Sequence, residues 1–360
     1  MSKKKSVIIS SAVLLILISI LLISLTKPYK IGVILSTESS LGNEENLAAH
    51  FYAGKLKRIG LHPVKFLYST PGREEQSVRD SARELKSKGI SVLVGGSLSR
   101  EGVIIMEEFG GTDIPVWGIT TSTSALSGIR DNFFRIVSPA DIMGKGFGNI
   151  LSVKDYSNIL FVKSSFNRNY SDPYADAFSE AFSGNVREVY YEEGWSDSLT
   201  EEIEAIVCVM SASELIQVIR LTRKTAPNVK IFSSDWGFDE LPTLFSGPEL
   251  EGIYSLTRRG PLEKQYEEIF KEFSKTLNFQ PTYGAITVFA TLDIIKKNLE
   301  KTGNNRTKLI KEFQTPQFLN SGYGKAYLNE YGDAVPENLY FRQIQNGKVT
   351  LLETIKFSKE

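Results

Sequence analysis

Val92-Leu-Val-Gly-Gly-Ser-Leu-Ser99 runs from a short apolar segment into two glycines and two serines, and an amphipathic stretch from about Arg100 to Phe109 follows it. Next comes Ile114-Pro-Val-Trp-Gly-Ile119 and then five hydroxyl residues, Thr120-Thr-Ser-Thr-Ser124. Strand, small-residue loop, helix, strand and polar loop is the signature of a βαβ unit with a parallel sheet. Upstream, Lys30–Leu35 reads as a strand, Glu44–Arg58 as a helix, Pro63–Tyr68 as a strand, Glu74–Lys88 as a helix and Ile90–Val94 as a strand. A second series follows, with strands at Asn158–Val162, Val186–Tyr190, Ala205–Met210 and Val229–Phe232, and helices from about Asp172 to Phe182 and Ala212 to Lys224. Helices at Gln265–Leu277 and Thr287–Leu299 and a hairpin around Asn346-Gly347 are too few for a third domain and complete the first two.

The expected architecture is α/β, with two doubly wound Rossmann-like lobes joined by a hinge. The chain is expected to pass between lobes near Ser138–Ile142, Thr257–Leu262 and Asp333–Glu337. Lobe I then comprises 29–139 plus 262–335, and lobe II 140–261 plus 336–360.

The chain has 360 residues, 41% of them hydrophobic, which is enough for two cores. Lys plus Arg and Asp plus Glu each number 42, so no net field draws it to nucleic acid. Cys208, the single cysteine, lies in an apolar run and reads as a buried hydrophobe. His50 and His62 join no nucleophile or metal motif, and no G-x-S-x-G, Walker or G-x-G-x-x-G sequence occurs. These features argue against an enzyme, a metal site or a cofactor.

Lys3-Lys4-Lys5 precede Val7–Leu25, a run of 19 residues without a charge, and Lys27 ends it. At 1.5 Å per residue such a run spans roughly 28 Å, close to the bilayer's hydrocarbon thickness and longer than a cleavable signal's apolar region. No cleavage site stands out after Leu25. Residues 1–28 therefore read as a membrane anchor with the lysines inside and the rest exported, or as a signal peptide in the alternative.

In open parallel sheets ligands bind beyond the carboxyl ends of the strands. Gly95–Ser99 and Thr120–Ser124 are both such ends; their hydroxyls and helix-terminal amides serve either as caps or as an anion site. After Phe232 comes Ser233-Ser-Asp-Trp-Gly237, where Asp235 is a helix cap or a partner for an ammonium. Tyr170 is a loop aromatic or a pocket wall, and Leu41, Trp236 and Tyr283 are further wall candidates.

Val92–Ser99, Ile114–Leu126 and Asn132-Phe-Phe-Arg135 together resemble the type I periplasmic binding proteins, specifically the branched-chain amino-acid (Leu/Ile/Val) binding branch of ABC-transporter substrate-binding proteins. The resemblance implies that Ser99, Thr120 and Ser122 hold a ligand carboxylate from lobe I. It implies that Asp235 and Tyr170 close over the ammonium from lobe II. Ser36–Gly42 replaces a glycine- and proline-bearing loop, Asp235 stands where relatives carry Glu, and Ser211 where they often carry Tyr. The implied partners are an amino acid or similar small molecule and a membrane transporter or sensor. The alternatives are a ligand-free scaffold regulating an envelope protein, or a pocket for an amide or aromatic acid lined by Trp236 and Tyr283. Intact-mass measurement on the membrane-bound protein is expected to find Ser2 or Lys3 retained; a chain starting near residue 27 would overturn the anchor.

Overall fold

The computed structural model describes residues 27–277 and 280–357. The first sheet is built from β1 (Tyr29–Ile34), α1 (Ser40–Lys55), β2 (Arg58–Ile59), β3 (His62–Ser69), α2 (Glu75–Ser87), β4 (Val92–Gly95), α3 (Ser99–Phe109), β5 (Val116–Gly118) and β6 (Phe133–Arg135). Its order is β2-β3-β1-β4-β5-β6, parallel apart from the β2–β3 hairpin. The second sheet takes α4 (Ala140–Val153), β7 (Asn158–Lys163), α5 (Arg168–Ala181), β8 (Asn185–Tyr190), β9 (Ala205–Val209), α6 (Ala212–Thr225), β10 (Lys230–Ser234), α7 (Asp235–Leu244) and β11 (Tyr254–Thr257). The chain then forms α8 (Lys264–Thr276), α9 (Tyr283–Thr302), α10 (Arg306–Phe313) and a small sheet of β12 (Gln317–Asn320), β13 (Lys325–Leu328) and β14 (Ala334–Pro336). It returns as β15 (Asn338–Gln345) and β16 (Lys348–Lys356), antiparallel additions that give the order β16-β15-β11-β10-β9-β7-β8.

Both sheets are covered on both faces, which explains why their strands are apolar at nearly every position. Along β9, Ala205, Val207 and Val209 join one core while Ile206, Cys208 and Met210 join the other, the period-2 alternation of a pleated strand. Cys208 is thus a buried core residue, and burial pushes its thiol pKa up. In the first sheet, Ile31 and Val33 pack with Phe289 of α9 and Phe313 of α10, while Ile34 and Leu93 face the layer of α2 and α3.

Two boundaries differ from expectation in an instructive way. The helix expected from Asp172 starts at Arg168, because Tyr170 and Ser171 N–H groups donate to Asn167 O and the Ser171 hydroxyl donates to Ser164 O. Tyr170 consequently sits in a helical first turn rather than in a loop. The helix expected from Thr287 likewise begins one turn earlier, at Tyr283, where Glu44 accepts hydrogen bonds from the Thr282 and Ala285 amides. The apolar run Val7–Leu25 lies outside the described residues, and no helix among the described residues is long and apolar enough to cross a membrane.

The return strand into the second sheet is secured by a buried ion pair. Arg135, fully buried at the end of β6, meets Asp333 at 2.6 Å and also donates to Thr123 O and the Ser127 hydroxyl. Asp333 accepts from Gly128 N through its other oxygen. Removing one partner of such a pair strands a charge in the interior. Asp333→Ala is expected to cost about 3–5 kcal/mol in urea denaturation; a loss below 1 kcal/mol would show that the pair is dispensable.

Candidate functional site

At the end of β4, Gly96 takes φ +80°, a backbone conformation glycine adopts without strain, and turns the chain toward α3. The amides around the start of α3 were read either as capped or as an anion site, and three of them have partners within the protein. Glu101 accepts from Ser97 N at 3.0 Å and Leu98 N at 3.3 Å, while Arg100 N donates to Asn167 Oδ1 at 3.3 Å. Ser99 Oγ accepts from Ser122 N at 3.2 Å, which ties the two strand-end loops together. Thr120 Oγ1 lies 2.7 Å from Glu45 Oε1 and 2.8 Å from Ser97 O. A hydroxyl has one proton, so both contacts form together only when Glu45 is protonated and donates to Thr120. Burial pushes the Glu45 carboxyl well up, in keeping with that arrangement.

On the other side, Asp235 is the first residue of α7 and is almost fully buried. Its Oδ1 accepts from Tyr170 OH at 3.1 Å. Its Oδ2 lies 3.2 Å from Arg259 and 3.4 Å from Arg258, ion-pair distances without an aligned hydrogen bond. Burial alone would raise this carboxyl, but the two guanidinium groups more than offset it and hold it below the usual carboxylate range. Arg259 also pairs with Asp239 at 2.5 Å and covers the face of Tyr283 at 3.4 Å from the ring centroid. The Tyr170 ring meets Trp236 edge-on at 5.8 Å.

Ser99, Thr120, Ser122, Tyr170, Asp235, Leu41, Trp236 and Tyr283 all line one cleft, together with Ser97, Leu98, Asn167 and Arg258. The free space among them is about 20 Å³, enough for about one water molecule. Direct contacts hold the two sides together. The Ser40 hydroxyl donates to Glu240, and the Arg100 guanidinium lies 4.4 Å from the Phe166 ring centroid. Leu98, on a first-sheet loop, belongs to the second lobe's core with Tyr170 and Trp236.

Arg258, Asn167, Ser97 and Leu98 are the cleft residues that sequence reasoning did not select. Arg258 directly follows β11, so the strand-end rule that selected Asp235 would have found it; the segment was read only as a crossing between lobes. Leu98 sits inside the selected Gly95–Ser99 loop but carries no polar group, and only packing reveals its use.

The cleft should respond to pH. Burial, helped by Glu44 and Asp239 and opposed by Ser40, pushes Glu240 up to about 7, against about 4.3 for a free glutamate. A raised folded-state pKa stabilises fully below the unfolded value, and that contribution is lost as pH rises through about 7. The melting temperature of the native chain should therefore fall more steeply between pH 4.5 and 7.5 than that of Glu240→Gln; parallel curves would remove Glu240 from the closure.

No family model matches the sequence. No curated protein matches it. Solved structures do match. The leucine-binding protein LivK of Thermotoga maritima superposes with TM-score 0.80 at 17% identity, covering 91% of this chain and 99% of its own. The branched-chain amino-acid substrate-binding protein LivJ of Streptococcus pneumoniae, in complex with isoleucine, gives 0.80 at 15% identity over 92% and 100%. A solute-binding protein of R. palustris in complex with benzoate gives 0.79 at 15% over 92% and 98%. Sheet order, the paired lobes and these superpositions agree: the chain has the two-lobed fold of the type I periplasmic binding proteins, as seen in the substrate-binding proteins of branched-chain amino-acid transporters.

Proposed function

We propose that the chain is an extracytoplasmic solute-binding protein, not an enzyme. It captures an amino acid or a similar small zwitterion or acid between the lobes, for an ABC transporter or a sensor. Lobe I is taken as 29–139 plus 262–335, lobe II as 140–261 plus 336–360, and residues 7–25 as the membrane anchor. The observation that carries the reading is that all eight selected residues come from strand ends, helix starts and loops on both sides of one cleft. A ligand touching Ser99 and Ser122 on one side and Asp235 and Tyr170 on the other would favour closure, because it has differential contacts only in the closed state. The unaligned Oδ2 of Asp235 offers an acceptor for an ammonium, and Arg258 beside it offers a cation for a carboxylate.

Ligand entry requires the lobes to part, since the closed cleft holds about 20 Å³ and small-molecule pockets run to hundreds. Leu98 must leave the lobe II core, and the Ser40–Glu240 and Arg100–Phe166 contacts must break. The same contacts favour a second reading, a scaffold that closes on itself and serves an envelope partner.

A thermal-shift screen of the full chain in detergent against amino acids and small organic acids separates these readings, since a ligand present at 100 times its Kd adds about 2.7 kcal/mol to stability. A shift with an α-amino acid that disappears in Asp235→Ala is expected. A shift confined to aromatic acids and lost in Arg258→Ala would transfer the role to the arginine. No shift with any compound would leave the scaffold.

A further inference from the structure

The end of lobe I opposite the cleft carries a basic groove of about 1030 Å³ lined by Lys27, Lys30, His62, Asp113, Arg306 and Lys308. Its position follows from strand direction. His62 opens β3, Tyr29 opens β1, and Gly89 and Asp113 precede β4 and β5, so the groove lies at the amino ends of parallel strands whose carboxyl ends carry the cleft loops. Asp113, the only acid among the described residues that line the groove, is paired with Arg306 at 3.1 Å, which leaves the lysines there without an acidic partner among the described residues. Beside it the β2–β3 turn projects Leu61, 60% exposed, next to the exposed Arg58. This turn is fixed to the start of the described chain: Lys27 O lies 3.1 Å from His62 Nδ1, and Tyr29 stacks on the His62 ring at 4.5 Å.

The apolar run ends at Leu25, two residues before Lys27. Two Cα steps reach roughly 7 Å, which is within the Debye length of about 8 Å at physiological salt. A chain anchored by that run cannot hold this face away from the bilayer, and the face has what a bilayer surface of anionic lipid attracts: clustered cations around one exposed leucine.

We propose that Lys27, Lys30, Arg58, Leu61 and Lys308 rest on anionic phospholipid head groups, so that the cleft opens away from the bilayer. This rests on the reading of residues 7–25 as an anchor, and it adds that the protein is oriented by its own surface. A partner that senses closure would then have to reach beyond lobe I, because the tether is too short to turn the cleft toward the membrane.

The test uses the full chain reconstituted in vesicles of phosphatidylcholine with or without phosphatidylglycerol. A fluorophore is placed on Leu61→Cys or on Arg73→Cys, sites flanking the two ends of β3; the native Cys208 is buried and does not compete for label. Nitroxide-bearing head groups should quench the label at 61 at least threefold more than the label at 73. Phosphatidylglycerol should widen the difference, and either 0.5 M salt or Lys30→Glu with Lys308→Glu should narrow it. Equal quenching at both sites, in protein that resists alkaline carbonate extraction, would overturn the orientation while leaving the anchor in place. Release by carbonate would instead remove the anchor, and the orientation with it. Neither result bears on ligand capture in the cleft.

Discussion

The guanidinium of Arg259 is the contact on which the arrangement of the cleft turns. It follows β11, pairs with Asp235 and Asp239 of α7, and covers Tyr283 at the start of α9. One cation thus joins an element of the second sheet to a helix packed on the first. Its own burial opposes its charge, but the two aspartates outweigh that effect and hold it protonated. Arg258 and Arg259, with the Tyr170 hydroxyl, in turn offset the burial of Asp235 and hold its carboxyl below the usual carboxylate range. The charge chemistry of the lobe II wall is therefore a network property and not that of a single carboxylate.

The facing wall works differently. Glu44, Glu45 and Glu101 are all buried without an arginine at ion-pair distance, and burial raises each of them. Each is used as a backbone or hydroxyl partner: Glu44 at the amino end of α9, Glu45 against Thr120 and Glu101 at the start of α3. Carboxyl groups at helix starts suit the partial positive charge there. Several polar groups that could greet a ligand already have partners within the protein, while Ser97 Oγ and Glu45 Oε2 have none, so ligand binding there exchanges some hydrogen bonds as well as adding others.

That exchange gives closure its energetic character. Leu98 contributes apolar burial across the interface and Ser40 reaches Glu240, so the lobes have affinity for each other without help. A solute has to exceed those contacts to control the equilibrium, which places the balance between capture and self-closure in a few residues at the cleft mouth.

The order of strands and helices was legible from the sequence because buried parallel strands are continuous apolar runs and their helices are amphipathic. The strand-end rule also found Ser99, Thr120, Ser122 and Asp235, since topology alone puts strand ends on one rim. The helix start at Tyr283 was misjudged because a long-range partner, Glu44, fixes it, and the start at Arg168 because Asn167 and Ser164, close by in the chain, bond its first turn. What the sequence by itself determined is the pair of α/β layers and the rim from which a site can be built. Only the tertiary structure decided which groups on that rim remain open, because the pairing of Asp235 with two arginines, the bond from the Arg100 amide to Asn167 and the seating of Leu98 all depend on residues brought together from distant parts of the chain.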